Sequence, residues 1–253
     1  MNYEELIVLV TGSATGIGLA CVRSLLRKGA RVVVNSRGLP KLENAERQLL
    51  GPDGFPKSRV MTVAADVTDS NAVGRMFEQI ERTWGPVNAL VNNAGISGGR
   101  MTLADITEEA WDRIITANLR GLYLCTRRAL PKMYERRWGR IVNISSITGV
   151  SGKLMASPHY AATKGAIVAF TRRLSMEAAP HQVAVNCVAP GLIADTGFTH
   201  MIKGELLERY QRDIPAGRPG TCEEVAELVA FLCAEHAGYI IGQSIVMDGG
   251  AST

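Results

Sequence analysis

Seven short runs rich in valine, isoleucine and leucine recur along the chain, and helical patterns lie between them. The runs predict strands at Leu6–Val10, Arg31–Asn35, Arg59–Ala64, Ala89–Asn92, Arg140–Ile144, Val183–Val188 and Ser244–Met247. The helical patterns lie near residues 17–28, 40–50, 70–84, 108–136, 158–179 and 222–235. Apolar strands that alternate with helices indicate a parallel sheet with helices on both faces. The sequence therefore predicts an α/β, doubly wound fold.

We expect one domain over residues 1–253, because no Pro/Gly/Ser-rich linker, low-complexity block or internal repeat divides the chain. The region from Pro190 to Gly220 departs from the alternation. It is rich in proline and glycine and has only a short helical pattern near 199–212. A long connection of this kind is either a lid over a site or a structural excursion. We predict a substrate loop or lid at about 190–220.

The composition argues against several classes of protein. Apolar residues make up 46% and charged residues 21%, as in soluble globular proteins. No uncharged apolar run reaches the ~18 residues that cross a bilayer, and no signal peptide is recognisable, so we expect a cytoplasmic protein. Five scattered cysteines and four dispersed histidines predict neither disulfides nor a metal site. The net charge of +4, without a recognition motif, does not predict nucleic-acid binding.

The first predicted strand runs into a glycine-rich turn, and a helix follows it. At such a bend the backbone can approach a diphosphate closely, and the start of the helix presents unpaired N–H groups. The spacing is Gly-x-x-x-Gly-x-Gly rather than the common Gly-x-Gly-x-x-Gly, and a tight turn could need glycine for steric reasons alone. The position after the first strand favours a dinucleotide site formed by Gly12, Ser13, Thr15, Gly16, Ile17 and Gly18.

The end of the second strand bears on the choice of dinucleotide. An NAD site usually places a carboxylate there, which accepts hydrogen bonds from the ribose 2′-hydroxyl. Here Ser36 occupies that place and Arg37 follows it. A guanidinium suits a 2′-phosphate by charge and by shape. The sequence predicts that NADP(H) is preferred over NAD(H), unless Arg37 is only a solvated loop residue.

Tyr160 and Lys164 are four residues apart in a helical pattern, so both side chains project from one face. A free tyrosine has a pKa of ~10 and is a poor base at neutral pH. A nearby ammonium group favours the phenolate, which predicts a lowered pKa for Tyr160. The pair is then suited to general acid/base catalysis.

From about residue 6 to the C-terminus the sequence resembles the short-chain dehydrogenase/reductase family. The family's markers occur in order: the glycine turn, Asp66-Val67, Asn92-Asn93-Ala94-Gly95, Asn118, Ser145-Ser146, Tyr160-x-x-x-Lys164 and Pro190-Gly191. The resemblance implies a single Rossmann-type domain with a seven-stranded sheet, usually assembled as a homotetramer. It also implies that a carbonyl and an alcohol are interconverted by hydride transfer with a nicotinamide cofactor.

The resemblance assigns roles to individual residues. Tyr160 donates the proton, Ser146 binds the substrate oxygen, Asn118 holds a water in a proton relay, and Lys164 tunes the tyrosine. The spacing from Ser146 to Tyr160 is one residue longer than usual in the family, so Ser145 stays a second candidate. The remaining cofactor contacts are implied at Asp66 and Val67 for the adenine and at Asn93, Ala94, Gly95, Tyr160, Lys164, Pro190 and Gly191.

The substrate is less constrained. Within the family, the sequence is most similar to bacterial 3-oxoacyl-acyl-carrier-protein reductases, including its closing Met247-Asp248-Gly249-Gly250. An acidic acyl carrier protein would be steered by basic residues at the cleft, for which Arg136 and Arg137 are candidates. A sugar, steroid, quinone or simple ketone is the alternative substrate. A non-catalytic NADP-binding sensor or a purely structural module is a further alternative, which the retention of Asn118, Ser146, Tyr160 and Lys164 disfavours.

Overall fold

A computed structural model describes residues 2–151, 156–197, 199, 204, 208 and 211–253. The strands are β1 Ile7–Val10, β2 Arg31–Ser36, β3 Val60–Ala64, β4 Ala89–Asn92, β5 Gly139–Ile144, β6 Val183–Pro190 and β7 Ser244–Met247. The helices with these strands are α1 Gly16–Arg27, α2 Leu39–Leu50, α3 Ser70–Thr83, α4 Glu108–Ile115, α5 Gly121–Glu135, α6 Pro158–Ala178 and α7 Cys222–Cys233. Among the described residues, no helix is long and apolar enough to span a membrane.

The strands form one seven-stranded sheet in the order β3-β2-β1-β4-β5-β6-β7, and every neighbouring pair is parallel. The predicted α/β sheet is therefore confirmed. The strand order reverses between β1 and β4, and in sheets of this kind ligands bind where the order reverses, outside the carboxyl ends of the strands. The fold thus directs the glycine turn after β1 and the segment after β4 to the same edge.

Alternate residues of the strands pack on opposite faces of the sheet. Val8 and Val10 belong to a core with α1, α2 and α7, whereas Ile7 and Leu9 belong to a core with α3, α5 and α6. Each fully buried aliphatic side chain of this kind stabilises the fold by roughly 1.5–3 kcal/mol. The sheet is thereby held rigidly between two helical layers, and its carboxyl edge provides a fixed frame for the loops.

The helices differ in how their amino ends are satisfied. Asp69, Thr107 and Thr221 each cap a helix with a side-chain oxygen, at α3, α4 and α7 respectively. In contrast, Thr15 and Gly38 provide no side-chain cap for α1 and α2. The first N–H groups of these two helices are left for another acceptor. Both helices begin at the carboxyl edge of the sheet.

The predicted helix over 108–136 is two helices joined by a π-helical segment, Thr116–Arg120. Such segments add a residue to one turn and are frequent at functional sites. Gly121 follows this segment and packs so closely on Val67 that a Cβ would lie 2.5 Å from Cγ2. The two ends of the 190–220 connection are joined by the bridge between Ile193 and Gly220. The helix expected near 199–212 falls mostly outside the described residues.

Candidate active site

A cleft of about 960 Å³ opens at the carboxyl edge of the sheet. Every residue predicted to bind cofactor or to take part in catalysis lines this cleft, except Ser13 and Asn118. The cleft also reaches Lys41, Thr148 and Thr196, which the sequence analysis did not identify. Nothing in their local patterns sets these three residues apart, since their exposure depends on the path of the surrounding loops.

The glycines of the first turn have different roles. A Cβ on Gly12 would lie 2.8 Å from Ala94 Cα, and a Cβ on Gly18 would lie 2.6 Å from Asn93 Nδ2. These two glycines allow the turn to pack on the segment after β4. At Gly16 a Cβ would meet nothing within 4 Å, and the backbone φ is +56°. Gly16 therefore faces open space in the cleft, which fits a site for phosphate groups at the uncapped end of α1.

Ser13 is completely buried and does not line the cleft, contrary to the prediction. Its Oγ donates to the Val10 carbonyl at 2.6 Å and accepts from the Asn35 N–H at 3.0 Å. The side chain of Asn35 in turn donates to the carbonyls of Val63 and Ala65. Ser13 and Asn35 therefore fix the glycine turn to β2 and β3. A polar residue within an otherwise apolar strand was the available signal for Asn35.

The end of β2 presents positive charge to the cleft. The Arg37 side chain is 70% exposed, and its Nη1 lies 3.6 Å from Asp66 Oδ2. Burial raises the pKa of Asp66, but hydrogen bonds from Thr68 and the charge of Arg37 outweigh it, so the pKa lies below its ordinary value. Lys41 adds a second cation from the first turn of α2. Arg37 and Lys41 thus border the cleft beside the uncapped start of that helix.

Ser146, Tyr160 and Lys164 meet at the centre of the cleft. Ser146 lies beside Tyr160, and its side chain favours the phenolate form of that tyrosine. Lys164 Nζ lies 5.5 Å from the centre of the Tyr160 ring and donates to the Ile144 carbonyl at 2.9 Å. Ser145 Oγ instead donates to the Lys164 carbonyl at 2.8 Å. Of the two candidate serines, Ser146 is therefore the one that acts on Tyr160, and Ser145 ties β5 to α6.

Burial controls the protonation of this group. It raises the pKa of Tyr160 to about 12, although Ser146 acts in the opposite direction. Burial also lowers the pKa of Lys164 to about 8. The predicted direction for Tyr160 is wrong, because the cost of burying a phenolate exceeds the opposing effect of Ser146, and Lys164 is not among the groups that shift this pKa. At neutral pH, Tyr160 consequently holds its proton and can act as a proton donor.

Asn118 is buried in the π-helical segment behind the cleft. Its Oδ1 accepts from the Ile96 N–H at 2.7 Å, and its Nδ2 donates to the Ile96 carbonyl and to Thr163 Oγ1, both at 3.0 Å. Both amide hydrogens are thus used within the protein. In this structure Asn118 clamps the segment after β4 and holds it against α6.

Comparisons with known proteins agree with this geometry. A family model described as enoyl-(acyl carrier protein) reductase matches residues 12–252. The chain is 37% identical to the 3-oxoacyl-[acyl-carrier-protein] reductase of Aquifex aeolicus, over 99% of this chain and 98% of the relative. It is 34% identical to an acetoacetyl-CoA reductase from an Acinetobacter species, over 98% of each chain. The chain belongs to the short-chain dehydrogenase/reductase family.

Solved structures also resemble this dehydrogenase/reductase. One is a 3-oxoacyl-[acyl-carrier protein] reductase with bound NAD from Brucella melitensis, 31% identical with a TM-score of 0.86, covering 98% of this chain and 91% of that one. Levodione reductase is 29% identical with a TM-score of 0.92 and covers 98% of each chain. As a member of the family, the protein is an oxidoreductase with a nicotinamide-binding Rossmann fold.

Arg136 and Arg137 lie at the wrong edge of the dehydrogenase/reductase to steer a partner into the cleft. The Arg136 guanidinium donates to the carbonyls of Pro86 and Val87, which precede β4. Arg137 Nη2 donates to the Pro180 carbonyl, which precedes β6. Residues that precede parallel strands lie at the amino edge of the sheet, opposite the cleft. The predicted steering role of these two arginines is therefore wrong.

Proposed function

We propose that this enzyme reduces the ketone of a 3-oxoacyl thioester to an alcohol, with NADPH as the hydride donor and an acyl carrier protein as the natural carrier. The observation that carries the proposal is the grouping of Ser146 and protonated Tyr160 in one cleft, beside Lys164. The relatives named 3-oxoacyl-[acyl-carrier-protein] reductase support the choice of substrate, since they match along nearly their whole length.

The residues of the cleft fit a nicotinamide dinucleotide. Gly16 borders open space, α1 and α2 have uncapped amino ends, and Arg37 and Lys41 bring positive charge. When bound, the cofactor supplies the hydride to the carbonyl carbon. Ser146 and Tyr160 orient the carbonyl by donating hydrogen bonds to its oxygen, and Tyr160 then transfers its proton to that oxygen. The Lys164 ammonium stabilises the phenolate that remains.

The preference for NADPH follows from charge at the end of β2. A charged hydrogen bond is worth about 1.5–3 kcal/mol, which corresponds to roughly tenfold to hundredfold in affinity. We expect Arg37→Asp to reduce kcat/KM for NADPH by that factor and to leave kcat/KM for NADH unchanged or raised. Arg47→Asp, an exposed position at the far end of α2, makes the same change of charge outside the cleft and serves as the control. Equal use of NADH and NADPH by the unaltered enzyme would contradict the proposed preference.

A panel of substrates tests the reaction itself. NADPH absorbance is followed with acetoacetyl-carrier protein, acetoacetyl-CoA, a crotonyl thioester and a cyclic diketone. We expect the highest kcat/KM with acetoacetyl-carrier protein and loss of turnover in Tyr160→Phe. Reduction of the crotonyl thioester would favour the alkene reduction named in the family description. Turnover confined to the cyclic diketone would favour a small-ketone reductase similar to levodione reductase. Binding of NADPH with no turnover of any ketone would favour the sensor alternative.

We also propose a homotetramer that acts in the cytoplasm. Large apolar side chains are exposed on α5 and α6, among them Tyr123 and the 73% exposed Met176. A second exposed set lies toward the C-terminus: Phe231, Tyr239 and Val246. Two separate apolar patches of this kind suit two different subunit contacts. All five cysteines are buried and free, which suits a reducing compartment. Light scattering of the eluting protein tests the assembly, and a monomer would contradict it.

A further inference from the structure

His159 is the second residue of helix α6 and directly precedes Tyr160. It is 1% exposed, and neither of its ring nitrogens has a hydrogen-bond partner among the described residues. A buried polar group without a partner costs about 1–3 kcal/mol and is uncommon in native proteins. An apolar side chain would avoid that cost, so the presence of a histidine at this buried position needs a physical explanation.

The ring of His159 supports the segment Ser97–Gly99. A Cβ on Gly98 would lie 2.8 Å from His159 Nε2 and 2.7 Å from Ile114 Cδ1. Gly98 therefore packs directly on the imidazole and on Ile114. The φ of +71° at Gly98 allows the backbone to approach these two side chains closely.

Ser157 ties down the far end of the same segment. Its Oγ donates to the Gly99 carbonyl at 2.7 Å and accepts from the Met101 N–H at 2.7 Å. Both supports, Ser157 and His159, belong to the start of α6, which also carries Tyr160.

This segment forms a wall of the site. Ser97 lines the main cleft, and Ser97–Gly99 border an adjoining cavity of about 510 Å³. At its other end the wall continues into Ile96, which Asn118 clamps. The start of α6 thus fixes the position of the wall relative to Tyr160.

We propose that His159 is a positioning residue whose neutral imidazole holds the Ser97–Gly99 wall in place, and whose protonation releases that wall and weakens substrate binding. The kinetic part of this inference rests on the proposed carbonyl reduction, whereas the movement of the wall does not.

The surroundings of His159 oppose a positive charge. From α4, Arg113 faces it, and the wall itself contributes no titratable side chain between Ser97 and Gly99. Along its own helix the nearest ionisable groups are Tyr160 and Lys164. Burial, and then the charge of Arg113, hold the pKa of His159 below its ordinary value of about 6.5. An imidazolium with a cation beside it would leave this position, and Gly98 would lose its packing contact with the ring.

The test is the pH dependence of KM and kcat in the unaltered enzyme and in His159→Phe, which keeps a ring that cannot be protonated. In the unaltered enzyme we expect KM for the ketone to rise as the pH falls below about 6.5, by at most about tenfold per pH unit, the limit for one proton. We expect kcat to change little, and the KM of His159→Phe to stay within about twofold over the same range. His236→Phe alters an exposed histidine beyond α7 and should retain the unaltered profile.

Hydrogen exchange of a peptide covering residues 96–101 gives a readout that needs no substrate. After correction for intrinsic rates, we expect faster exchange at acid pH in the unaltered enzyme and no such change in His159→Phe. If the phenylalanine variant does not fold, His159→Gln replaces it, because glutamine also cannot be protonated.

Identical exchange profiles in the unaltered enzyme and the variant would overturn the inference. Faster exchange with no change in KM would overturn the link to substrate binding. Absence of any ketone substrate would refute the proposed function but leave the exchange result to decide the role of His159.

Discussion

Substitution of Gly18 by alanine should damage the fold before it damages cofactor binding. The new Cβ would lie 2.6 Å from Asn93 Nδ2, 2.7 Å from Ser13 Cα and 2.8 Å from the Gly12 carbonyl oxygen. Ordinary van der Waals contacts of a Cβ are 3.4–4 Å, so the shortfall is about 0.6 Å or more on three sides. Two of the three obstacles are backbone atoms, which cannot rotate away. The helix or the segment after β4 must therefore move.

The size of the effect follows from what that movement breaks. Asn93 Nδ2 donates to the carbonyls of Thr11 and Gly12 at 2.9 and 3.0 Å. Loss of these two bonds costs about 1 kcal/mol each, and overpacking adds about 1–3 kcal/mol. The higher helix propensity of alanine offsets about 1 kcal/mol of this loss of stability. The net loss of about 2–4 kcal/mol corresponds to a fall in Tm of roughly 5–15 °C for a chain of this size.

Gly16→Ala is the matched comparison within the same turn. It meets no atom within 4 Å, so its cost is limited to the positive φ, about 1–2 kcal/mol. Its Cβ instead occupies space in the cleft where phosphates are expected. We therefore expect a smaller fall in Tm without cofactor, together with a rise in Kd for NADPH of about tenfold or more.

Thermal unfolding without cofactor and fluorescence titration with NADPH separate the two effects. An unchanged unfolding temperature in Gly18→Ala would contradict the predicted steric clash at Gly18. Greater destabilisation of Gly16→Ala with unchanged NADPH affinity would also contradict the prediction, because the steric roles of the two glycines would then be reversed.

Three further predictions concern catalysis and partner binding. Ser146→Ala should lower kcat about 10²- to 10⁴-fold, whereas Ser145→Ala should lower Tm and leave kcat within a few-fold; equal losses of kcat would refute the division of roles. Ketone reduction should decline as the pH rises through about 8, because Lys164 loses its charge there while Tyr160 keeps its proton to about 12; a kcat profile flat to pH 10 would contradict this. Arg137→Glu should leave KM for an acyl-carrier substrate unchanged, since the residue lies at the amino edge; a raised KM would show that the carrier reaches that edge.

Much of the fold could be predicted because strands and helices have different apolar periods. The predicted strands match the observed ones closely, and β6 extends beyond the predicted end at Val188 to Pro190. The π-helical segment Thr116–Arg120 could not be foreseen, because one added residue in a turn leaves the helical pattern almost intact. The role of Ser13 was also hidden, since its partner Asn35 comes from another strand.

The position of Arg136 away from the cleft could have been predicted from the order of strands and helices alone. In a parallel sheet the helix between two strands runs back from the carboxyl edge to the amino edge. Arg136 follows the end of α5 and precedes β5, so it must lie at the amino edge whatever its side chain contacts. The loops of the carboxyl edge are the ones that follow strands, and only those could have supplied residues at the cleft entrance.

The protonation state of Tyr160 could not be predicted from residue spacing alone. The four-residue spacing reveals that an ammonium is near the phenol, but it does not reveal that Lys164 is buried and Tyr160 half-buried. Burial disfavours the charged form of each, raising the pKa of Tyr160 and lowering that of Lys164. A protonated tyrosine is the state that carbonyl reduction requires, whereas alcohol oxidation requires the phenolate. The unliganded site is therefore prepared for reduction at neutral pH, and the reverse oxidation should rise only as the pH approaches about 12, where Tyr160 ionises, well above the pH at which Lys164 loses its charge.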